Sequence, residues 1–306
     1  MRDRCRLEES PGPLLTDDHH PQRRLGTALA LLSALSWSSA GLFTRFIALD
    51  LWTLLVWRGI FGALFIGIYA AWQFRADLRG LVRGIGWGGL GIALCSMLST
   101  VTLIPAFRLT TVANVSVILA TAPFAAAFIA WAWLGERSNR STLVAAGIAI
   151  LGVGAMVGGS AGSGSRWGDG LAFLAVASIS CVVVGVRRYR GIALLPMVVL
   201  SNLLVMAASL PFAAPLSAGP LDILYSALFA LCTMILGYVL MVIASRMIPA
   251  VETALIGTLE TPLAPLWIWL AFGEAPSRAA FLGGTIVLAA VIGHLLVDNR
   301  RRATRA

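Results

Sequence analysis

Residues 106–136 read AFRLTTVANVSVILATAPFAAAFIAWAWLGE, and residues 244–274 read ASRMIPAVETALIGTLETPLAPLWIWLAFGE. Each stretch begins with an arginine motif, carries a proline inside an apolar run and ends on Gly-Glu, with 28 residues from Arg to Glu in both (136 − 108 and 274 − 246). Two tryptophans precede Gly-Glu in each stretch, and the offset between the stretches is about 138 residues (246 − 108). The chain therefore contains an internal repeat.

The sequence around this repeat has the composition of a membrane protein. Apolar residues make up 58% of the 306 residues and charged residues only 12%, whereas a soluble domain averages about 25% charged. A hydrocarbon layer about 30 Å thick requires roughly 20 apolar residues per helix. Charged residues, prolines and glycines separate ten stretches of about that length. The ten stretches are 26–47, 51–72, 84–104, 111–134, 141–159, 169–187, 192–214, 221–243, 250–272 and 279–297.

These stretches predict an all-α integral membrane protein with ten transmembrane helices in two inverted five-helix repeats. Because five is odd, the second copy must enter the membrane in the opposite orientation. Inverted repeats are typical of alternating-access carriers, whose substrate site lies near mid-membrane between the copies. The predicted segments are a disordered tail (1–25), the first repeat (26–159), a Gly/Ser-rich outward linker (160–168), the second repeat (169–297) and a basic tail (298–306).

Arginine placement predicts the orientation of the chain. The net charge is +9 and every basic residue other than histidine is arginine. With a cytoplasmic N-terminus, 18 arginines lie in the tails and inner loops and four in the outer loops. Positive residues accumulate on the cytoplasmic side of membrane proteins. We therefore expect both termini in the cytoplasm, a location in the cell (inner) membrane, and no binding of nucleic acid.

Short motifs occur in a fixed order along residues 26–297: Ser36-Trp37-Ser38-Ser39, Trp57-Arg58, Ala106-Phe107-Arg108-Leu109-Thr110, Ala122-Pro123, Leu134-Gly135-Glu136, Ala244, Arg246, Glu260-Thr261-Pro262 and Gly273-Glu274. With these motifs the chain resembles two EamA-like repeats of the drug/metabolite transporter superfamily. Thr261 between Glu260 and Pro262 departs from the family pattern, and so does Ser178-Ile179-Ser180-Cys181, which lacks the usual tryptophan. The resemblance implies a transporter for amino acids, related metabolites or drugs.

Glu260 is the sharpest candidate for a functional residue. It lies near the middle of the ninth span, where an ionised carboxylate is costly. Its side chain could pair with a cationic substrate group or exchange a proton during transport. Alternatively, a protonated Glu260 could be a packing device hydrogen-bonded between helices.

Other candidates could line the same cavity. Trp37 and Ser38 form a polar, aromatic patch on the first span, suited either to a cavity wall or to helix packing. Pro123 and Pro262 bend their helices, as prolines do both beside carrier binding sites and in plain membrane helices. Three polar residues on the third and eighth spans complete the set: Ser96, Thr100 and Tyr238.

Three residues are candidates for structural or gating roles. Arg58 in the second span could attract a substrate carboxylate, or its long stem could extend to the headgroups. Asn114, which is also a candidate for the cavity lining, and Glu252 occupy corresponding places in the two copies (114 + 138 = 252). Either could gate one mouth of the pathway or simply cap a helix.

The sequence thus predicts a secondary transporter of the exporter type that moves an amino acid or drug-like compound by alternating access. It lacks a phosphate loop, a dinucleotide fingerprint and a Ser/His/Asp arrangement, so we expect no catalytic residue, cofactor or metal. The expected partners are the bilayer and a small-molecule substrate, with proton coupling left open and the protein a monomer or homodimer. The alternatives are an intramembrane lipid-modifying enzyme and a membrane scaffold that does not transport.

Overall fold

The computed structural model describes residues 20–73, 85–135, 140–159, 165–189, 194–248, 253 and 256–303, and these residues form helices and turns without any strand. Helices of the first copy are α1 (His20–Ser38), α2 (Ala40–Phe46), α3 (Leu51–Gln73), α4 (Gly86–Leu109), α5 (Val112–Leu119), α6 (Ala122–Leu134) and α7 (Arg140–Gly159). Those of the second are α8 (Arg166–Arg188), α9 (Leu194–Ser209), α10 (Pro220–Ala230), α11 (Leu240–Ala244), α12 (Glu260–Phe272) and α13 (Arg278–Ala303). A π-helical segment, Leu231–Val239, joins α10 to α11.

Seven helical stretches of the described residues are long and apolar enough to cross a membrane. They are 22–46, 51–73, 86–109, 112–134, 166–188, 194–212 and 220–244. The cores of α7 and α13 are shorter apolar helices, at Val144–Gly154 and Phe281–Gly293. With α12, these stretches coincide in position with the ten predicted spans, and seven of them have the length and hydropathy of a membrane crossing. We call the side of the bundle at which α1 begins and α13 ends the tail side, and the opposite side the linker side.

Some helix ends differ from the predicted boundaries. Helix α1 begins at His20, so residues 20–25 are helical rather than part of a disordered tail. Pro21 is compatible with this start because proline is tolerated in the first turn of a helix. Likewise α8 begins at Arg166, inside the predicted linker, and α13 continues to Ala303, inside the predicted basic tail. Residues 1–19 and 160–164 of the predicted tail and linker lie outside the described residues.

Contacts between the two copies are reciprocal. Helix α1 packs on the π-helical segment and α11, and its counterpart α8 packs on α4. Helix α12 packs on α1 and α2, while α5 and α6 pack on α8. Three further contacts pair corresponding spans with each other: the second with the seventh through α3 and α9, the fourth with the ninth through α5 and α12, and the fifth with the tenth through α7 and α13. A pseudo-two-fold relation between two inverted five-helix repeats produces this pattern.

The repeat is most regular at α6 and α12. Both helices have 13 residues, and their bounds differ by the same 138 residues (260 − 122 and 272 − 134). Each ends at a glycine with φ of 70°, Gly135 in the first copy and Gly273 in the second. Glycine adopts this left-handed conformation without steric cost, which makes it a common helix terminator.

Two glycines, one in each copy, lie where a helix of that copy packs closely against the other copy. A Cβ added to Gly168 of α8 would lie 2.8 Å from the backbone nitrogen of Thr110. A Cβ added to Gly26 of α1 would lie 2.7 Å from the Cβ of Met247. These crossings lie on opposite sides of the bundle, and each joins one copy to the other.

Arg108 fixes the end of the first span. Its guanidinium donates to the carbonyl oxygens of Thr44, Ile47 and Leu49, at 3.3, 3.1 and 2.7 Å. The acceptors lie at the end of α2 and in the turn that follows, where carbonyl groups lack helical partners. Arg108 therefore holds the first span against the linker-side end of α4.

Candidate substrate site

The fourth and ninth spans are both interrupted near their centres. In the fourth span, the turn Ala120–Thr121 separates α5 from α6. Pro123 is near the start of α6 and has no amide hydrogen to donate to the carbonyl of Leu119. In the ninth span, a turn at Thr258–Leu259 precedes α12, which begins with Glu260. Because α5 packs on α12, the two interruptions face each other.

A cavity of about 220 Å³ lies between these interruptions. Its lining comes from both copies: Ser116, Leu119, Ala120 and Pro123 from the fourth span, and Gly257, Thr258, Glu260 and Thr261 from the ninth. The cavity therefore lies at the crossing of two interrupted helices related by the repeat.

Glu260 supplies the acidic group of this cavity. Its carboxylate receives no hydrogen bond from the described residues. As the first residue of α12, Glu260 lies at the positive end of the helix dipole, which stabilises a negative charge. The carboxylate of Glu260 can pair with a cation or take up a proton. The hydroxyl-bearing residues Ser116, Thr258 and Thr261 line the same cavity.

A second, smaller cavity lies on the linker side of the same helix crossing. It has a volume of about 90 Å³, and its lining includes Val112, Ile268 and Glu274. Beside it, Arg45 at the end of the first span pairs with Glu274 at 3.2 Å. The rings of Phe46 and Phe272 lie 5.2 Å apart next to this ion pair. An ionic and an aromatic contact thus join the two copies at the linker-side end.

The family model described as "EamA-like transporter family" matches residues 24–158 and again residues 166–296. These two matches cover most of the chain and coincide with the two copies. The chain belongs to the EamA-like transporter family. It is a multi-pass transmembrane protein of the transporter class, and its two repeats are EamA repeats of the drug/metabolite transporter type.

One solved structure supports the fold of this transporter. A chain described as "Crystal structure of protein" superposes with a TM-score of 0.60 at 19% sequence identity, over 90% of this chain and 98% of that chain. At this identity the likeness concerns the fold alone. No curated protein matches the sequence of the transporter.

A buried polar cluster in the transporter includes a residue that sequence reasoning missed. The carboxylate of Asp169 accepts from the hydroxyl of Thr110 at 2.8 Å and from the amide of Asn114 at 3.3 Å. All three residues are buried. The sequence signal that could have identified Asp169 is its position as the single acidic residue in the first turn of an apolar span. Asn114 thus ties the fourth span to the sixth, while its predicted counterpart Glu252 lies outside the described residues.

Trp37 and Ser38 connect helices of the transporter, away from the described lining of the central cavity. The indole nitrogen of Trp37 donates to the carbonyl of Thr233 at 3.1 Å, in the π-helical segment. The hydroxyl of Ser38 accepts a hydrogen bond from the indole nitrogen of Trp267 at 2.8 Å. Both bonds join the first span to the second copy. Trp37 and Glu260 therefore both lie at the interface between the two copies, but Trp37 does not line the cavity that contains Glu260.

The remaining polar candidates fall at three different places. The hydroxyl of Ser96 lies 3.2 Å from that of Ser201 on α9, and Thr100 donates to the carbonyl of Ser96. Tyr238 lines a separate cavity on the tail side, between α3, α9 and the eighth span. Pro262 lies in the first turn of α12, beside the lining residue Thr261.

Arg58 lies inside the protein, with 7% of its surface exposed. Its guanidinium carbon is 5.1 Å from the centre of the Phe229 ring, a cation–π contact between the second and eighth spans. Its Nε and Nη1 atoms have no hydrogen-bond partner among the described residues. Arg58 therefore contacts an aromatic face and is separate from the cavity at Glu260.

Proposed function

We propose that this chain is a secondary carrier that moves a small organic metabolite by alternating access, with its substrate held in the cavity beside Glu260. The observation that carries the proposal is the position of the 220 Å³ cavity, at the crossing of two interrupted helices from opposite copies. Interrupted helices of inverted repeats border the substrate site in carriers. The two copies can then move against each other around this point.

The charge of the cavity favours a substrate with a cationic group. Glu260 has no hydrogen-bonding partner among the described residues, and an unpaired carboxylate inside a membrane is costly. A substrate ammonium group or a proton would remove this cost. Alternate binding of the two at Glu260 would couple substrate movement to proton movement.

The size of the cavity favours a substrate comparable to an amino acid. Pockets that bind drug-sized ligands enclose about 300–1,000 Å³, whereas this cavity encloses about 220 Å³. We therefore propose an amine-bearing metabolite rather than a bulky drug. We further propose export across the inner membrane with both termini cytoplasmic, an orientation supported by the 18 arginines that the sequence assigns to the tails and inner loops, against four in the outer loops.

The test is counterflow into vesicles containing the purified protein, with a panel of amino acids and cationic drugs at two pH values. The wild-type protein should exchange at least one amine-bearing metabolite. Glu260→Gln should reduce the initial rate at least about tenfold, the equivalent of about 1.4 kcal/mol, and should abolish the pH dependence. A gradient of substrate or pH imposed on the vesicles then shows the direction of net transport.

Asp222→Asn is the matched control because it makes the same carboxylate-to-amide change at the start of α10, remote from the cavity. This variant should keep the wild-type rate. The unfolding midpoint of each purified variant shows whether it is folded. A folded Glu260→Gln protein with the wild-type rate and pH profile would contradict the role of Glu260, and a wild-type protein that exchanges only bulky drugs would contradict the substrate class.

A further inference from the structure

The tail-side cavity that Tyr238 lines is polar and lies away from the helix crossing at Glu260. It encloses about 280 Å³ between the end of α3, the start of α9 and the end of the eighth span. Its polar lining consists of Tyr69, Gln73, Tyr238 and Arg246. None of the residues that line the central cavity contributes to it, so it is a separate site.

Arg246 is available for a ligand, although its counterpart in the first copy is not. Arg108 occupies the equivalent repeat position and is bound to three backbone carbonyls. Arg246 is exposed and lines the cavity, and among the described residues its guanidinium has neither a hydrogen bond nor an ion pair. The described lining of the cavity therefore holds a positive charge and no acidic group to neutralise it.

An apolar groove of about 290 Å³ adjoins this cavity and shares Tyr69 with it. The other groove residues are all apolar: Phe65, Ile68, Trp72 and Ile235. Ile68 and Trp72 are 60% and 63% exposed, on the outer surface of α3. A polar cavity with a positive group thus continues directly into an apolar groove along the bundle.

The level of the cavity matches the polar headgroups of a bilayer. Trp72, next to Gln73, has its ring 6.2 Å from that of Tyr69, and such aromatic residues accumulate at membrane interfaces. In the sequence, Arg75, Arg79 and Arg83 follow α3 directly. Basic pockets between membrane helices on the cytoplasmic side bind anionic lipid headgroups.

We propose that this cavity and groove form a binding site for one anionic phospholipid. Arg246 binds the phosphate, with Gln73, Tyr69 and Tyr238 donating hydrogen bonds to headgroup oxygens, and an acyl chain occupies the groove beside Phe65, Ile68 and Ile235. Charge complementarity selects an anionic over a zwitterionic lipid, because the headgroup of phosphatidylcholine carries its own cation. The bound lipid bridges α3 to the eighth span.

The proposal is tested by titrating the detergent-purified full-length protein with phosphatidylglycerol and, separately, with phosphatidylcholine of the same acyl chains. A ligand that binds only the folded protein raises its unfolding midpoint in proportion to ln(1 + [L]/Kd). Phosphatidylglycerol should raise the midpoint and remain bound in native mass spectra, and phosphatidylcholine should do neither at the same concentration. Arg246→Gln should raise the Kd for phosphatidylglycerol about fivefold, and Gln73→Leu should raise this Kd as well.

Arg166→Gln is the control, because it removes an exposed arginine at the start of α8 on the linker side. This variant should respond like the wild-type protein. Inorganic phosphate is titrated in a third arm, and equal protection by phosphate would show that the site binds a soluble anion instead of a lipid. An undiminished phosphatidylglycerol effect in folded Arg246→Gln, or equal effects of the two lipids on the wild-type protein, would also overturn the proposal.

Discussion

Arg108 and Arg246 occupy the same position in the two copies but make different contacts. Arg108 lies at the end of an α-helix, and its guanidinium binds three carbonyls at the end of α2 and in the turn that follows it. Arg246 follows a span with a nine-residue π-helical segment, and its side chain lines a cavity. The difference shows that sequence equivalence within a duplicated protein does not guarantee structural equivalence.

The interrupted helices show the same contrast. Helices α6 and α12 agree in length and in their glycine ends, so their scaffold is common to both copies. At their starts, however, the first copy has Ala122 and the second has Glu260. The two copies therefore share a frame and both contribute hydroxyl groups to the central cavity, but only the second copy contributes a carboxylate to its described lining.

The largest effect on stability is expected from Arg108→Gln. Hydrogen bonds to charged groups contribute about 1.5–3 kcal/mol each, and the losses at three adjacent carbonyls are not additive. We expect a loss of about 3 kcal/mol in the free energy of unfolding, measured by denaturant titration in detergent. Arg246→Gln should change it by less than about 0.5 kcal/mol, as exposed substitutions usually do. Equal losses would show that the two arginines have the same structural role.

The next largest effect is expected from Gly168→Ala, which tests the close crossing of α8 and α4. The added methyl group would lie 2.8 Å from the backbone nitrogen of Thr110, and overpacking of this kind costs about 1–3 kcal/mol. Gly170→Ala is the matched control two residues away, where no atom lies within 4 Å. It should be neutral or stabilising by up to about 1 kcal/mol because alanine favours a helix.

Gly26→Ala extends the same comparison to the other copy. Its new methyl group meets the side chains of Met247 and Ile248, which can move more readily than backbone. We therefore expect a smaller loss than for Gly168→Ala in the same denaturant titration. A larger loss for Gly26→Ala would show that the tail-side crossing is the more rigid of the two.

The smallest effect is expected from the ion pair between Arg45 and Glu274. Both side chains are partly exposed, at 29% and 51%, and such pairs contribute about 0.2–1 kcal/mol. Arg45→Gln should therefore raise the labelling rate of an Ala275→Cys probe in the linker-side cavity by no more than about fivefold. The measurement uses an impermeant thiol reagent in a background without native cysteines. Exchanging the two charges should restore the original labelling rate.

The sequence predicted the overall fold and those site residues whose type is unusual at their position. The apolar stretches and the repeat predict the all-helical membrane fold, and the ordered motifs resemble the EamA-like transporter family; both are confirmed. Gly135 and Gly273 mark helix ends because each follows an apolar run. Glu260 and Pro123 can be singled out before the structure because a carboxylate and a proline are each unusual within a span.

Features that depend on where a side chain points were not predictable. The acceptors of Arg108 are backbone carbonyls, which every residue possesses, so no pattern identifies them. Asp169 is paired only because α8 crosses α4 beside Thr110. Tyr238 resembles a central-cavity residue in sequence, and its orientation depends on the winding of the eighth span. The π-helical segment itself has no proline or charge to announce it.

That segment has a geometric consequence for the end of its span. A π-helix closes its hydrogen bonds one residue later than an α-helix does, so each turn consumes more chain and advances less along the axis. Side chains beyond Val239 are consequently rotated around the axis relative to their positions in an α-helix of equal length. A change of helical pitch alone can thus give one half of a duplicated protein a surface that the other half lacks, without replacing the arginine that both inherited.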